Sequence, residues 1–178
     1  MIVSIVRETT MMDRRFLLTT AAGLGGLLSL KWLTASPARA ASDEKFEVMK
    51  TDEEWRKQLT PQQYEILRKE GTERPYSSPL NKEKRKGTFA CAGCDNALFS
   101  SETKFESGTG WPSFWQPLQN AVGERRDSTL GMVRTEIHCR RCGGHLGHVF
   151  DDGPKPTGLR YCMDGFAMIF KPAAPSAT

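Results

Sequence analysis

The chain has no long hydrophobic run. Its most apolar stretch, Phe16 to Leu30, is fifteen residues broken by Gly23, Gly25 and Gly26, short of the roughly 20 a membrane-spanning helix needs. It also lacks a strong charge of either sign, with 25 Lys and Arg against 21 Asp and Glu and a formal net of +4. Most of that surplus falls in residues 1–40. The remainder carries only about +1, which excludes the basic footprint of a nucleic-acid binder. The one basic cluster, Lys82 to Lys86, contains Glu83 and no aromatic residue, and reads as a solvated loop. Histidine is scarce, with three in all, and cysteine is odd in number, with five. An odd count excludes a scheme in which every thiol pairs within the chain.

What is present begins with an address. Arg14-Arg15, the short apolar stretch and Ala38-Arg39-Ala40 supply the basic start, apolar middle and A-x-A end of a secretory signal. The arginine pair resembles a bacterial twin-arginine signal, although Asp13 and Leu17 depart from its usual residues. Residues 1–40 are therefore expected to be an export signal that delivers the protein to a bacterial periplasm. Membrane contact is expected through that signal alone.

Residues 41–51 are polar and read as a flexible arm, 52–171 as the working domain, and 172–178 as a flexible Pro/Ala tail. A helix is expected from Asp52 to Leu59, with Trp55 and Leu59 on one face. A second begins with Thr60 as N-cap, Pro61 in the first turn and Gln63 closing a capping box. Gly71 stands where its C-cap belongs. Beyond it the apolar runs shorten to strand length: Thr88–Cys91, Ala97–Phe99, Met132–His138, His145–Phe150 and Arg160–Phe170. Helices first and short strands afterwards predict a mainly β domain with a short N-terminal helical segment.

Cys91-x-x-Cys94 and Cys139-x-x-Cys142 are two hooks with glycines beside them and 44 residues between them. Four thiolates from two tight turns make a closed tetrahedral shell, the signature of one structural zinc per chain. Redox-active dithiols or disulfides formed after export remain alternatives. The fifth cysteine, Cys162, stands in Gly-Leu-Arg-Tyr-Cys-Met-Asp. On a strand, Arg160, Cys162 and Asp164 share a face, and a nearby cation lowers a thiol pKa. All three histidines fall between His138 and His148, and His145 and His148 can donate protons.

Four ordered motifs carry a resemblance. Cys91-Ala-Gly-Cys94, Ser107-Gly-Thr-Gly-Trp-Pro-Ser-Phe114, Cys139 through His145-Leu-Gly-His148 to Pro154, and Thr157-Gly-Leu-Arg-Tyr-Cys162 closely resemble the methionine-R-sulfoxide reductases of type B. The resemblance implies twisted antiparallel sheets around a pocket, with the four-cysteine zinc site remote from it. It implies reduction of the R epimer of methionine sulfoxide, free or in proteins, by Cys162 as nucleophile. Trp111 would then wall off the substrate methyl group with Phe114 also in the substrate site, while His145, His148 and Arg160 line the centre. Thr109 stands where many members carry a resolving cysteine. The Cys162 sulfenic acid would therefore need an external thiol, such as a thioredoxin-like protein. Asp164 replaces the usual Asn, and an ionised carboxylate there is expected to raise the Cys162 pKa. The rival from another class is a zinc-ribbon interaction module in which Cys162 is inert; a second is a thiol–disulfide oxidoreductase using one CxxC pair.

Overall fold

The computed structural model describes residues 45–174; the export signal expected over residues 1–40 lies outside them. Two short helices lead. α1 (Asp52–Gln58) opens on Thr51, whose hydroxyl accepts from the Glu54 amide while the Glu54 carboxylate accepts from the Thr51 amide. α2 (Pro61–Lys69) repeats the device with Thr60 and Gln63. Each reciprocal cap satisfies two amides that a helix start otherwise orphans, so both helices begin where the sequence puts them. The end of α2 differs from expectation. Its left-handed residue is Glu70, at φ 57°, not Gly71. Gly71 answers a need for room instead, because a Cβ there would stand 3.0 Å from the Glu65 carbonyl oxygen.

The rest is antiparallel β structure in two sheets. β1 (Gly87–Cys91) lies between β2 (Ala97–Ser100) and β9 (Met168–Pro172). The larger sheet runs in the order β3 (Lys104–Phe105), β4 (Ser113–Phe114), β8 (Arg160–Met163), β7 (His145–Phe150), β6 (Arg134–Cys139), β5 (Val122–Asp127). The mainly β class holds. Phe89, Phe99 and Phe114 join the core, with Phe99 and Phe114 stacked at 4.4 Å. Trp55, Leu59, Tyr64, Ile66 and Leu67 bring the two helices into it.

Three departures have physical reasons. β5 reads Val-Gly-Glu-Arg-Arg-Asp, with one strongly apolar residue; it is an edge strand held by its ladder to β6, and charged edges are ordinary. The expected strand Arg160–Phe170 is two strands, broken by a turn at Gly165–Ala167 and belonging to different sheets. Asp164 stands at the N-terminal end of that turn and so sits where the chain crosses between sheets. Finally, the described part of the expected flexible arm is anchored. Val48 N–H donates to the Arg141 carbonyl at 2.9 Å, Arg141 pairs with Glu47, and the Phe46 ring meets His138 edge-on at 5.8 Å.

Candidate active site

Strand register sets out the site. Ser113 on β4, Cys162 on β8, His148 on β7, Glu136 on β6 and Arg125 on β5 oppose one another in a single row across the larger sheet. Opposed residues share a face. His145 is three residues from His148, and strict alternation would put it on the other face. A bulge prevents this. Ile137 opposes Gly147 while His138 opposes His145, so β7 carries one extra residue, and the two imidazoles lie 5.4 Å apart, edge to face. The bulge requires glycine: Gly147 has φ 143°, and a Cβ there would meet the Cys162 carbonyl oxygen at 2.2 Å.

Cys162, Trp111, His148, Asp164, Arg134 and Phe150 line a cavity of about 130 Å³. The Trp111 indole donates to the Glu73 carbonyl oxygen at 3.2 Å, which fixes the ring at the cavity. The Cys162 sulfur stands 3.8 Å from the Thr109 hydroxyl, and a chain of hydroxyls continues through Ser107 and Ser113 to the Trp111 carbonyl oxygen. Contrary to the expectation from Arg160, the Cys162 thiol is pushed up. Burial dominates, Asp164 adds to it, and the Thr109 contact and the Arg160 charge only partly offset it. The Arg160 guanidinium is itself engaged by both Asp152 oxygens at 2.8 Å and lies over the Phe150 ring.

His148 Nε2 meets Asp127 Oδ2 at 2.8 Å, and Arg134 and Thr129 bind the same carboxylate. Burial lowers the His148 pKa, against the pull of Asp127. Asp127, despite its own burial, is held well below the usual carboxylate range by those donors. His145 is buried; its Nδ1 meets Glu136 Oε1 at 2.9 Å, and its Nε2 lies 3.8 Å from Asp164 Oδ2.

Asp164 raises the Cys162 thiol, as expected of a carboxylate there, and its own carboxyl is displaced as well. Burial pushes its carboxyl up to about 7, against the Glu73 amide that donates to Oδ1 at 2.9 Å and against His145. A carboxyl raised in the folded state stabilises it fully below the unfolded pKa near 4, and that contribution is lost as pH rises through about 7. Above that pH the buried charge costs on the order of 4 kcal/mol. Asp164→Asn is therefore expected to raise the melting temperature at pH 8 but not at pH 4, as read by calorimetry.

One expected contact residue is elsewhere. Phe114 is sealed in the core between Phe89 and Phe99, because neighbours on a strand face opposite ways and Ser113 takes the Cys162 side. Sequence reasoning missed Glu73, Arg134, Asp127, Glu136 and Asp152. Only Asp152, in Asp-Asp-Gly just after the histidines, lay within a motif already singled out. Asp127, Arg134 and Glu136 come together through strand register, and Glu73 comes from the segment after α2.

The two hooks meet. Cys91 ends β1, Cys139 ends β6, and the four sulfurs of Cys91, Cys94, Cys139 and Cys142 lie within 4.8 Å of one another. Across the hooks, Cys91 and Cys142 are 3.7 Å apart and Cys94 and Cys139 3.5 Å. Zinc–sulfur bonds of about 2.3 Å in a tetrahedron put sulfurs about 3.8 Å apart, so the residues fit a tetrahedral metal. Donors support the set: Asn96 to the Cys139 sulfur, Arg141 to the Cys94 carbonyl and Arg68 to the Cys142 carbonyl.

A protein-family model for the SelR domain matches residues 59–172. The chain belongs to the SelR family. Among curated proteins, this SelR chain is 60% identical over 126 residues to the peptide methionine sulfoxide reductase MsrB of Agrobacterium fabrum, covering 70% of this chain and 93% of that one. It is 57% identical over 127 residues to the MsrB of Leptospira interrogans, covering 71% and 97%. The MsrB of Methanosarcina barkeri is 54% identical over 125 residues, covering 70% and 88%. The SelR span takes in the cavity and both hooks, whereas α1 and the anchored segment before it precede the span.

Proposed function

We propose that this SelR chain is a peptide-methionine (R)-S-oxide reductase in which Cys162 attacks the sulfoxide sulfur and becomes a sulfenic acid. One observation carries the assignment to Cys162: its thiol shares a cavity with the Trp111 indole, in a family whose relatives reduce methionine sulfoxide. The thiolate donates two electrons to the sulfoxide sulfur. The oxygen passes to Cys162 with one proton, giving S–OH, and methionine leaves. Two external thiols then release that oxygen as water and leave as a disulfide. Trp111 offers an apolar face to the substrate methyl group, which selects the epimer.

The test is product chromatography after incubation with each epimer of methionine sulfoxide and dithiothreitol. The R epimer alone should be consumed; consumption of neither overturns the proposal. Thr109 stands 3.8 Å from the Cys162 sulfur, near enough for a disulfide if a thiol replaced the hydroxyl. After one turnover without reductant, the wild type should gain one oxygen by mass, and Thr109→Cys should instead lose two hydrogens as it forms the disulfide.

Cys91, Cys94, Cys139 and Cys142 would hold a structural zinc, tying the end of β1 in one sheet to the end of β6 in the other. The interaction-module reading is not favoured, since an inert Cys162 leaves the cavity and the family membership without a purpose. The partners are oxidised proteins or free methionine sulfoxide and a thiol reductant of thioredoxin type. We assign export to residues 1–40. Replacing Arg14 and Arg15 with Lys should retain the protein in the cytoplasm, and unchanged export would point to the general secretory route.

A further inference from the structure

Reduction of a sulfoxide by a thiolate needs one proton on the oxygen, and the source of that proton is a separate question from the nucleophile. Besides Cys162 and the Trp111 indole, whose N–H is committed to the Glu73 carbonyl, four side chains at the cavity carry exchangeable protons: Thr72, Arg134, His148 and Asp164. Arg134 never gives up its proton, and a threonine hydroxyl is too weak an acid at neutral pH. His148 has Nε2 committed to Asp127 at 2.8 Å, and burial lowers its pKa. Its neutral form therefore spends its one N–H on Asp127. His145, the other imidazole, is buried behind the cavity and does not line it.

Asp164 differs from each of them. It is only 3% exposed, yet it lines the cavity beside Cys162. Oδ1 accepts from the Glu73 amide, which leaves Oδ2 to carry a proton. Oδ2 lies 3.8 Å from His145 Nε2, a buried nitrogen with no hydrogen-bond partner among the described residues. His145 Nδ1 is bound to Glu136. We propose that Asp164 is the catalytic acid that protonates the sulfoxide oxygen as Cys162 attacks, and that His145 and Glu136 behind it return the proton.

The proposal rests on the reductase reading above and names the proton donor that the reading requires. The step balances. Cys162 thiolate, sulfoxide and the Asp164 proton become Cys162 sulfenic acid, methionine and Asp164 carboxylate. The proton set free when Cys162 ionises re-enters through Asp164. The groups facing Asp164 are His145 from β7, Glu73 from the segment after α2, and Cys162 from β8, which ends one residue before it. Burial and the Glu73 carboxylate charge favour the acid form, and the Glu73 amide and His145 oppose them.

The pH dependence then has a defined sign. The acid titrates at about 7 and the thiol higher, so the reactive pair, thiolate with protonated Asp164, grows with pH up to about 7. It then levels off, because each gain in thiolate is matched by a loss of acid. In Asp164→Asn the levelling should vanish, and the rate should climb until the thiol itself titrates.

The decisive comparison is single-turnover reduction of R-methionine sulfoxide against alkylation of Cys162 by iodoacetamide, both followed across pH. Alkylation needs the thiolate but no acid. Asp164→Asn keeps an oxygen to accept from the Glu73 amide. It should alkylate at pH 7 as fast as the wild type or faster, yet reduce the sulfoxide about 10²-fold more slowly. An Asn variant that reduces as fast or faster, or that keeps the levelling near 7, overturns the proposal. Infrared spectra of the wild type read the same carboxyl without a variant. The protonated-carboxyl band should disappear with the midpoint at which the rate levels, and a band already absent at pH 5 also overturns it. A wild type inactive on both epimers would instead sink the reductase reading, independently of Asp164.

Discussion

Cys162→Ser is expected to abolish reduction of R-methionine sulfoxide while leaving the fold and the four-cysteine site intact. A serine hydroxyl is far less acidic than a thiol, and its oxygen cannot be oxidised to a sulfenic acid, so the first half-reaction has no counterpart. Removal of a nucleophile that acts within a catalytic unit costs about 10⁴-fold or more. The structural cost is small by comparison. Cys162 is half-buried, its strand is bonded to β4 and β7 through the backbone, and the Thr109 hydroxyl can pair with a serine as well as with a thiol. Stability should change by no more than about 1 kcal/mol. Methionine formation, calorimetric unfolding and zinc content on one preparation separate the two effects. Retained turnover would move the nucleophile to one of the CxxC pairs and revive the oxidoreductase reading.

That comparison also bears on how far the site could be read in advance. Helix starts were legible because a capping box is a local device: Thr60, Pro61 and Gln63 need nothing beyond their own neighbours. The hooks were legible for the same reason, as was the isolation of Cys162 once four thiols were set aside. What could not be read was whatever register assembles. His145 and His148 share a face only because β7 bulges at Leu146–Gly147, and nothing in the spacing of the histidines alone says so. Asp127, Glu136 and Arg134 reach the site from β5 and β6, and β5 itself was hidden by its charged sequence. The Phe114 expectation failed on strand alternation, where one residue's shift exchanges cavity for core. Asp164 is a different case. Its identity was noted, but a sequence does not report burial, and burial is what turns an assumed charge into a proton carrier.

Loss of the metal should produce the second large effect. Zinc binding in four-thiolate sites contributes on the order of 10 kcal/mol, comparable to the entire stability of an ordinary domain, about 5–15 kcal/mol. The position of the hooks explains why that contribution cannot be made good locally. Cys91 closes β1 of the three-stranded sheet and Cys139 closes β6 of the six-stranded sheet, so a metal held by these cysteines would span two sheets. Glu136, which holds His145, lies on that same β6. Four sulfurs packed within 4.8 Å would, without a cation, keep at least part of their charge unmatched or stay protonated in a buried cluster. Cys91→Ser is therefore expected to bind no stoichiometric zinc and to be largely unfolded or insoluble, and a strong chelator should unfold the wild type over hours. Across the hooks the thiols are free and stand 3.5 and 3.7 Å apart, the spacing of ligands on one tetrahedral metal and not that of bonded sulfurs, at about 2.05 Å. Dithiothreitol alone should accordingly leave the melting temperature unchanged. Metal analysis and circular dichroism decide the matter: a metal-free wild type that melts as the zinc-loaded protein does would refute a structural role for the site.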